Sequence, residues 1–234
     1  MVNQERASWT NWGGTYSCSP TRIQSPISEQ EIAAIVRGAA DRGERVKVIG
    51  SGHSFTDIGC TDGCLIKLDR YNQVLAVDRE GGTITAQAGI TVLQLSAALA
   101  PFGLAMENMG DVGYQTISGA ISTATHGTGE KLGNISSQVA GLTLVLADGS
   151  VLECSAEKDP EAFKAAQVSL GALGVISTVT LRCVPPYNVR SVQEPTPVDR
   201  PLPTPACPRR AHHHVRFSPS PPQAGAPEQP DHRT

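Results

Sequence analysis

The sequence predicts an α+β fold of two subdomains: a small N-terminal sheet with helices over roughly residues 18–80, then a larger mixed sheet with helices over roughly 81–188. A disordered Pro-rich tail follows at 195–234. Three observations predict this layout. Three segments open on helix-capping residues, at Ser28, Thr91 and Asp159, and continue at helical spacing. Between and after them lie short apolar runs bounded by turn residues, the pattern of strands. Finally, eleven of the 17 prolines fall within 195–234, where Val198, Leu202, Val215 and Phe217 are the only large apolar residues, too few to offset the entropy of ordering the stretch.

Each element has a local cause. Ser28 and Glu31 form a capping box, and Ile32, Ile35, Val36 and Ala39 follow on one helical face over 28–40. Gly38 weakens that helix and Gly43 ends it. Val46, Val48 and Ile49 then make a strand that runs directly into Gly50-Ser51-Gly52-His53-Ser54-Phe55, a glycine-bearing loop. Strands follow at 65–68, 74–77 and 84–88, separated by turn-forming stretches. Thr91 and Gln94 form a second capping box, and Pro101 stops the helix they open. Residues 116–129 contain little larger than Thr, which leaves their backbone accessible. A hairpin is expected from 139–146 and 151–154 around Ala147-Asp148-Gly149-Ser150. Asp159 with Pro160 opens a third helix, and 175–184 has the β-branched content of a buried strand.

Composition narrows the function. A net charge of −3 and a pI of 6.1 argue against nucleic acid and against a polybasic membrane surface, both of which need clustered Lys and Arg. No apolar run approaches the ~20 residues of a membrane span, and Met1 opens no secretory leader, so a cytoplasmic protein is expected. In that compartment Cys18, Cys60, Cys64, Cys154, Cys183 and Cys207 read as free thiols. Cys60 and Cys64 lack two further ligands at zinc spacing, and no metal is expected.

Two places could carry chemistry. Gly50-Ser51-Gly52 is too short for the Gly-x-Gly-x-x-Gly dinucleotide fingerprint, because the third glycine would have to stand where the chain has Phe55. What remains is a run of backbone N–H groups that glycines can turn toward one point, a nest suited to phosphate oxygens. A plain tight turn accounts for most isolated Gly-x-Gly triplets. The 116–129 stretch adds a second side-chain-poor surface, so that a pyrophosphate could approach backbone from two sides. His212, His213, His214 and His232 lie in the tail, which leaves His53 and His126 as the histidines of the folded part, one in each loop.

These residues carry a resemblance. Val48-Ile-Gly-Ser-Gly-His-Ser-Phe55, Glu107-Asn-Met-Gly-Asp111, Ile117-Ser-Gly-Ala-Ile-Ser-Thr-Ala-Thr-His-Gly-Thr-Gly129 and Gly171-Ala-Leu-Gly-Val175 resemble the PCMH-type FAD-binding half of the vanillyl-alcohol-oxidase superfamily. Within it, the chain is most similar to the aldonolactone and alditol oxidases, the group of D-arabinono-1,4-lactone oxidase and L-gulonolactone oxidase. The similarity runs from about Trp9 to about Glu194 in the family's order and spacing.

The resemblance implies FAD in the crevice between the subdomains. Gly50, Ser51, Gly52, His53 and Ser54 would wrap the pyrophosphate, and His53 would join the flavin 8α-carbon covalently, for which only the neutral imidazole is a nucleophile. Asp111, Thr116, Gly119, Thr123, Thr125 and His126 would line the other side, with Ile176 beside one end of the cofactor. Gly110 would leave room for O2 near the flavin. The implied reaction is hydride transfer from a CH–OH carbon of a polyol or sugar lactone to flavin N5, then to O2. The family's catalytic groups belong to a C-terminal substrate domain. Here the chain leaves the family pattern near Pro195, as a frame shift or an erroneous gene assembly would produce, so a truncated and impaired enzyme is expected. Two alternatives stay open: an FAD-binding module without turnover, and a domain whose glycine loops hold another phosphate ligand.

Overall fold

The computed structural model describes residues 7–129 and 131–188. A short antiparallel hairpin comes first, β1 (Trp9–Thr10) with β2 (Ser17–Cys18). The small sheet holds β3 (Arg22–Gln24), β4 (Val46–Ile49) and β5 (Cys64–Lys67) in the order β3-β5-β4, all parallel. Parallel strands need a crossover, and α1 (Glu29–Asp41) provides it between β3 and β4. The Ser28 side chain caps α1 by accepting from the Glu31 N–H at 3.2 Å. The Glu31 carboxylate reaches one residue further back than a capping box requires, to the Ile27 N–H at 2.9 Å. Gly43, at φ +65°, ends the helix as expected.

The larger sheet has five strands in the order β6-β7-β10-β8-β9: β6 (Val74–Asp78), β7 (Thr83–Gln87), β8 (Val139–Val145), β9 (Val151–Ser155) and β10 (Val175–Arg182). Two expectations are corrected here. Every pairing in this sheet is antiparallel, where a mixed sheet was expected; the parallel pairings are confined to the small sheet. The 74–77 strand, expected in the small sheet, is β6 and pairs with β7, so the change of sheet falls between Lys67 and Val74 and ahead of residue 80. The tail expected at 195–234, with its histidines and Cys207, lies outside the described residues.

Helices complete the layers: α2 (Val92–Leu99), α3 (Ile117–Ser122) and α4 (Pro160–Gln167). The Thr91–Gln94 capping box is formed in both directions, at 3.0 and 3.1 Å. Pro101 does not stop the chain dead but sits in a 3-10 turn, Ala100–Phe102, that Gly103 at φ +67° closes. Asp159 caps α4 from a left-handed backbone, φ +54°. No helix of the described residues is long and apolar enough to cross a membrane.

One apolar cluster runs under both sheets, joining Ile32 and Val36 of α1 to Ile66 of the small sheet and to Leu144, Val145 and Val179 of the large one. A buried polar chain reinforces that junction. Ser177 Oγ, on a fully buried residue of β10, donates to the Glu29 carboxylate at 2.7 Å and lies 3.0 Å from the Tyr71 hydroxyl. Removing it leaves the hydroxyl of buried Tyr71 without its partner, and an unsatisfied buried polar group costs about 1–3 kcal/mol. Ser177→Ala is expected to lower stability by about that amount, read from the urea midpoint.

Candidate functional site

The site begins where β4 delivers the chain to the carboxyl edge of the small parallel sheet, the edge at which open α/β sheets bind ligands. Beyond Ile49 the backbone must pass very close to the start of α3. A Cβ added at Gly50 would fall on the Thr116 hydroxyl, and Thr116 is itself fixed as the N-cap of α3 and by a bridge to Thr91. Gly52 adopts φ +70°, and a Cβ there would stand 3.1 Å from the Trp9 ring. The Ser51 hydroxyl is spent on the Tyr114 carbonyl. Among the described residues, the N–H groups of Ser51, Gly52, His53 and Ser54 donate to no protein acceptor.

Opposite this loop stands a second backbone wall. Leu170 (φ +52°), Gly171 (φ +73°) and Gly174 (φ +147°) carry a tight loop into β10. Between the walls lies a cavity of about 380 Å3, within the range of small-molecule sites. Of the residues singled out from the sequence, Gly50, Ser51, Gly52, His53, Ser54, Thr116, Gly119, Thr123 and Ile176 line it.

Gly110, Asp111, Thr125 and His126 do not line it. They sit on an adjoining ledge where segments 108–111 and 125–127 pack against each other. A Cβ at Gly110 would stand 2.7 Å from the Thr125 methyl, and one at Gly127 would overlap the Met109 carbonyl. Buried Asn108 anchors the ledge by donating to the Gly133 carbonyl at 3.0 Å. His126 is exposed, its Nδ1 2.8 Å from the Gly127 carbonyl, and Asp111 is exposed too. The small-residue stretch 116–129 is thus not one continuous surface. Its first half is α3, which turns Ile117, Ala120 and Ile121 into the core.

Other residues of the wall are not singled out from the sequence as site residues. Gln115 faces the cavity with a buried Oε1 that has no partner among the described residues. Trp9 supplies apolar floor, and Leu170 and Ala172 complete the second wall. The glycines at 171 and 174 mark a turn there, within one of the segments that carry the family resemblance. The nearby thiols are held in the neutral form. Burial pushes Cys60 up to about 11, with neighbouring Cys18 and the Asp57 charge adding, so Cys60 is a neutral thiol at pH 7. Burial likewise raises Cys64, which is a core residue of β5.

A crevice between two sheets, walled by backbone, with unused N–H groups on one side and an orphaned amide oxygen within it, defines a domain that holds an anionic nucleotide cofactor. The sequence matches the FAD binding domain family over residues 20–155, and the chain belongs to that family. It is 49% identical over 181 residues to L-gulono-1,4-lactone dehydrogenase of Mycobacterium tuberculosis, covering 77% of this chain and 42% of that protein. It is 45% identical over 186 residues to mouse L-gulonolactone oxidase, covering 80% of this chain and 42% of the oxidase. For D-arabinono-1,4-lactone oxidase of Eremothecium gossypii the figures are 43% over 188 residues, 79% and 35%. The chain therefore spans about two-fifths of the length of these relatives.

Among solved structures, 6-hydroxy-D-nicotine oxidase from Arthrobacter nicotinovorans superposes with a TM-score of 0.65 at 28% identity, over 71% of this chain and 37% of that one. The architecture is the PCMH-type FAD-binding fold, and FAD is the cofactor. The residues present fit it. Unpartnered amides at Ser51–Ser54 suit diphosphate oxygens, and the Gln115 oxygen can accept from a heterocyclic N–H.

Proposed function

We propose that this chain is the cofactor-binding part of an FAD-dependent oxidoreductase of the aldonolactone and alditol oxidase type. Its substrate is the CH–OH group of a sugar lactone or polyol, and O2 is the electron acceptor. The observation that carries the reading is His53: it sits on the loop of free N–H groups and lines the cavity, which supports its assignment as the flavin attachment point. The identity to three enzymes named for sugar lactones supports the substrate class.

FAD, when bound, accepts the hydride and passes the electrons on. The chain's own residues bind and orient. Ser51–Ser54 offer N–H groups to the diphosphate, with Gly50 and Gly52 allowing the backbone to come close. Thr123 and Gly119 line the same cavity. The Leu170–Gly174 loop lines the cavity as its second backbone wall. Asp111, Thr125 and His126 are assigned to the outer part of the same site, on the adjoining ledge. Gly110 supports dioxygen as acceptor, although its bare Cα also serves the close packing on Thr125. The group that takes the alcohol proton is assigned to the further portion that the relatives possess.

The test is direct. Purified protein is expected to be yellow, to keep its colour through acid precipitation, and to bleach anaerobically with a lactone or polyol if the substrate portion is supplied. His53→Ala is expected to convert acid-stable flavin into extractable flavin while FAD binding persists; acid-stable colour in that variant refutes the attachment site.

A further inference from the structure

Asn11 lies in the turn of the β1–β2 hairpin and is 4% exposed. A side-chain amide has two N–H donors and a carbonyl with two lone pairs, and here all four are used. Nδ2 donates to Thr15 Oγ1 and to the Ser54 carbonyl, both at 2.9 Å, while Oδ1 accepts from the N–H groups of Thr15 (2.9 Å) and Tyr16 (3.1 Å). Three of these bonds stay within the hairpin. The fourth crosses 43 positions of sequence to the residue after His53. On the other side, the Trp12 N–H donates to the carbonyl of Gly52, the residue before His53, at 2.9 Å. A two-residue ladder is marginal alone, so the Asn11 bonds hold the turn in shape.

The indole of Trp12 meets the imidazole itself. Their ring centroids are 5.0 Å apart with the planes inclined at 31°, and Phe55 packs edge-on against the indole at 6.2 Å. Trp12 is 67% exposed, so core burial does not explain where it sits. Its contact with His53 does.

We infer that the N-terminal hairpin positions His53 for flavin attachment, Asn11 clamping the loop on which it rides and Trp12 fixing the plane of its ring. This rests on the reading of His53 as the attachment point. Attachment forms one bond between an imidazole nitrogen and the flavin 8α-carbon. The imidazole N–H and one 8α C–H are lost as protons, and the two electrons released reduce the flavin and pass to dioxygen. Such a step needs the nitrogen lone pair aimed at the carbon, and a misplacement of about 1 Å costs on the order of a hundredfold in rate. Both residues are positioning residues, acting through His53.

The experiment uses the full chain, refolded without flavin and then incubated with FAD. Asn11→Ala and Trp12→Leu are each expected to bind FAD yet gain acid-stable colour roughly tenfold or more slowly than wild type. Trp12→Phe, which keeps a ring against the imidazole, restores the rate. Wild-type attachment rates in both Asn11→Ala and Trp12→Leu overturn the inference. A second readout needs no flavin: the Trp12 ring current displaces the His53 ring protons in the NMR spectrum. Asn11→Ala should return them toward random-coil positions although the indole is still present, and unchanged resonances overturn the clamp. Failure of the His53 reading looks different, since wild-type protein would then bind FAD without acid-stable colour and the NMR comparison alone would decide the clamp. Trp12 is exposed, so Trp12→Leu keeps the question answerable if Asn11→Ala does not fold.

Discussion

Gly50→Val is expected to give a protein that no longer takes up FAD, with affinity lowered by about a hundredfold or more, equivalent to roughly 3 kcal/mol. The cause is steric. Any Cβ at this position falls on the Thr116 hydroxyl, so one side must shift. Residue 50 is held by the end of β4, while Thr116 caps α3 and is bridged to Thr91. Forcing extra atoms into such a contact costs about 1–3 kcal/mol in stability and moves the loop bearing Ser51–Ser54 away from the diphosphate. Flavin absorbance near about 450 nm after reconstitution, with a fluorescence-quenching titration for affinity, measures the loss. Gly50→Ala combined with Thr116→Ala should recover part of it, because the second change removes the hydroxyl that the first one strikes. A Gly50→Val protein that binds FAD normally would show that the approach of β4 to α3 does not shape the site.

Gly174→Ala is expected to be the next most damaging change. The residue sits at φ +147°, a region open essentially to glycine alone, and its Cβ would stand 2.5 Å from the Val145 carbonyl. A backbone oxygen at the end of β8, on a residue paired to β9 and β10, cannot retreat as the tip of a flexible side chain can. Strain of about 1–3 kcal/mol should appear as a lower urea midpoint. The Leu170–Gly174 wall should shift with it and weaken FAD binding by roughly tenfold. An unchanged midpoint together with unchanged affinity would refute the account.

The helices were legible in the sequence because their causes are local. Ser28, Thr91 and Asp159 each cap a helix with a side chain three residues from the group it satisfies. The Gly50–Ser54 loop was legible for a related reason, since glycines directly after an apolar strand announce a turn whatever the rest of the chain does. Strand partnership was another matter. β6 is exposed along most of its length, and its placement beside β7 is decided by the short turn between them rather than by anything within Val74–Asp78. β1 and β2 are two residues each and exist because Asn11 organises the turn between them, a fact of tertiary contact. Gln115 likewise counts only because folding leaves its oxygen without a partner. Composition alone grouped Thr125 and His126 with Thr116. The six residues of α3 separate them by turning the backbone inward between the two.

Helix α1 is fastened at both ends to the far sheet, through Glu29 to Ser177 and through Arg37 to the Gly149 carbonyl, above an apolar interior that both sheets share. The crevice consequently has no hinge. Prying its sides apart would expose that shared interior to water, so the spacing between the two walls is set by the same apolar contacts that stabilise the fold.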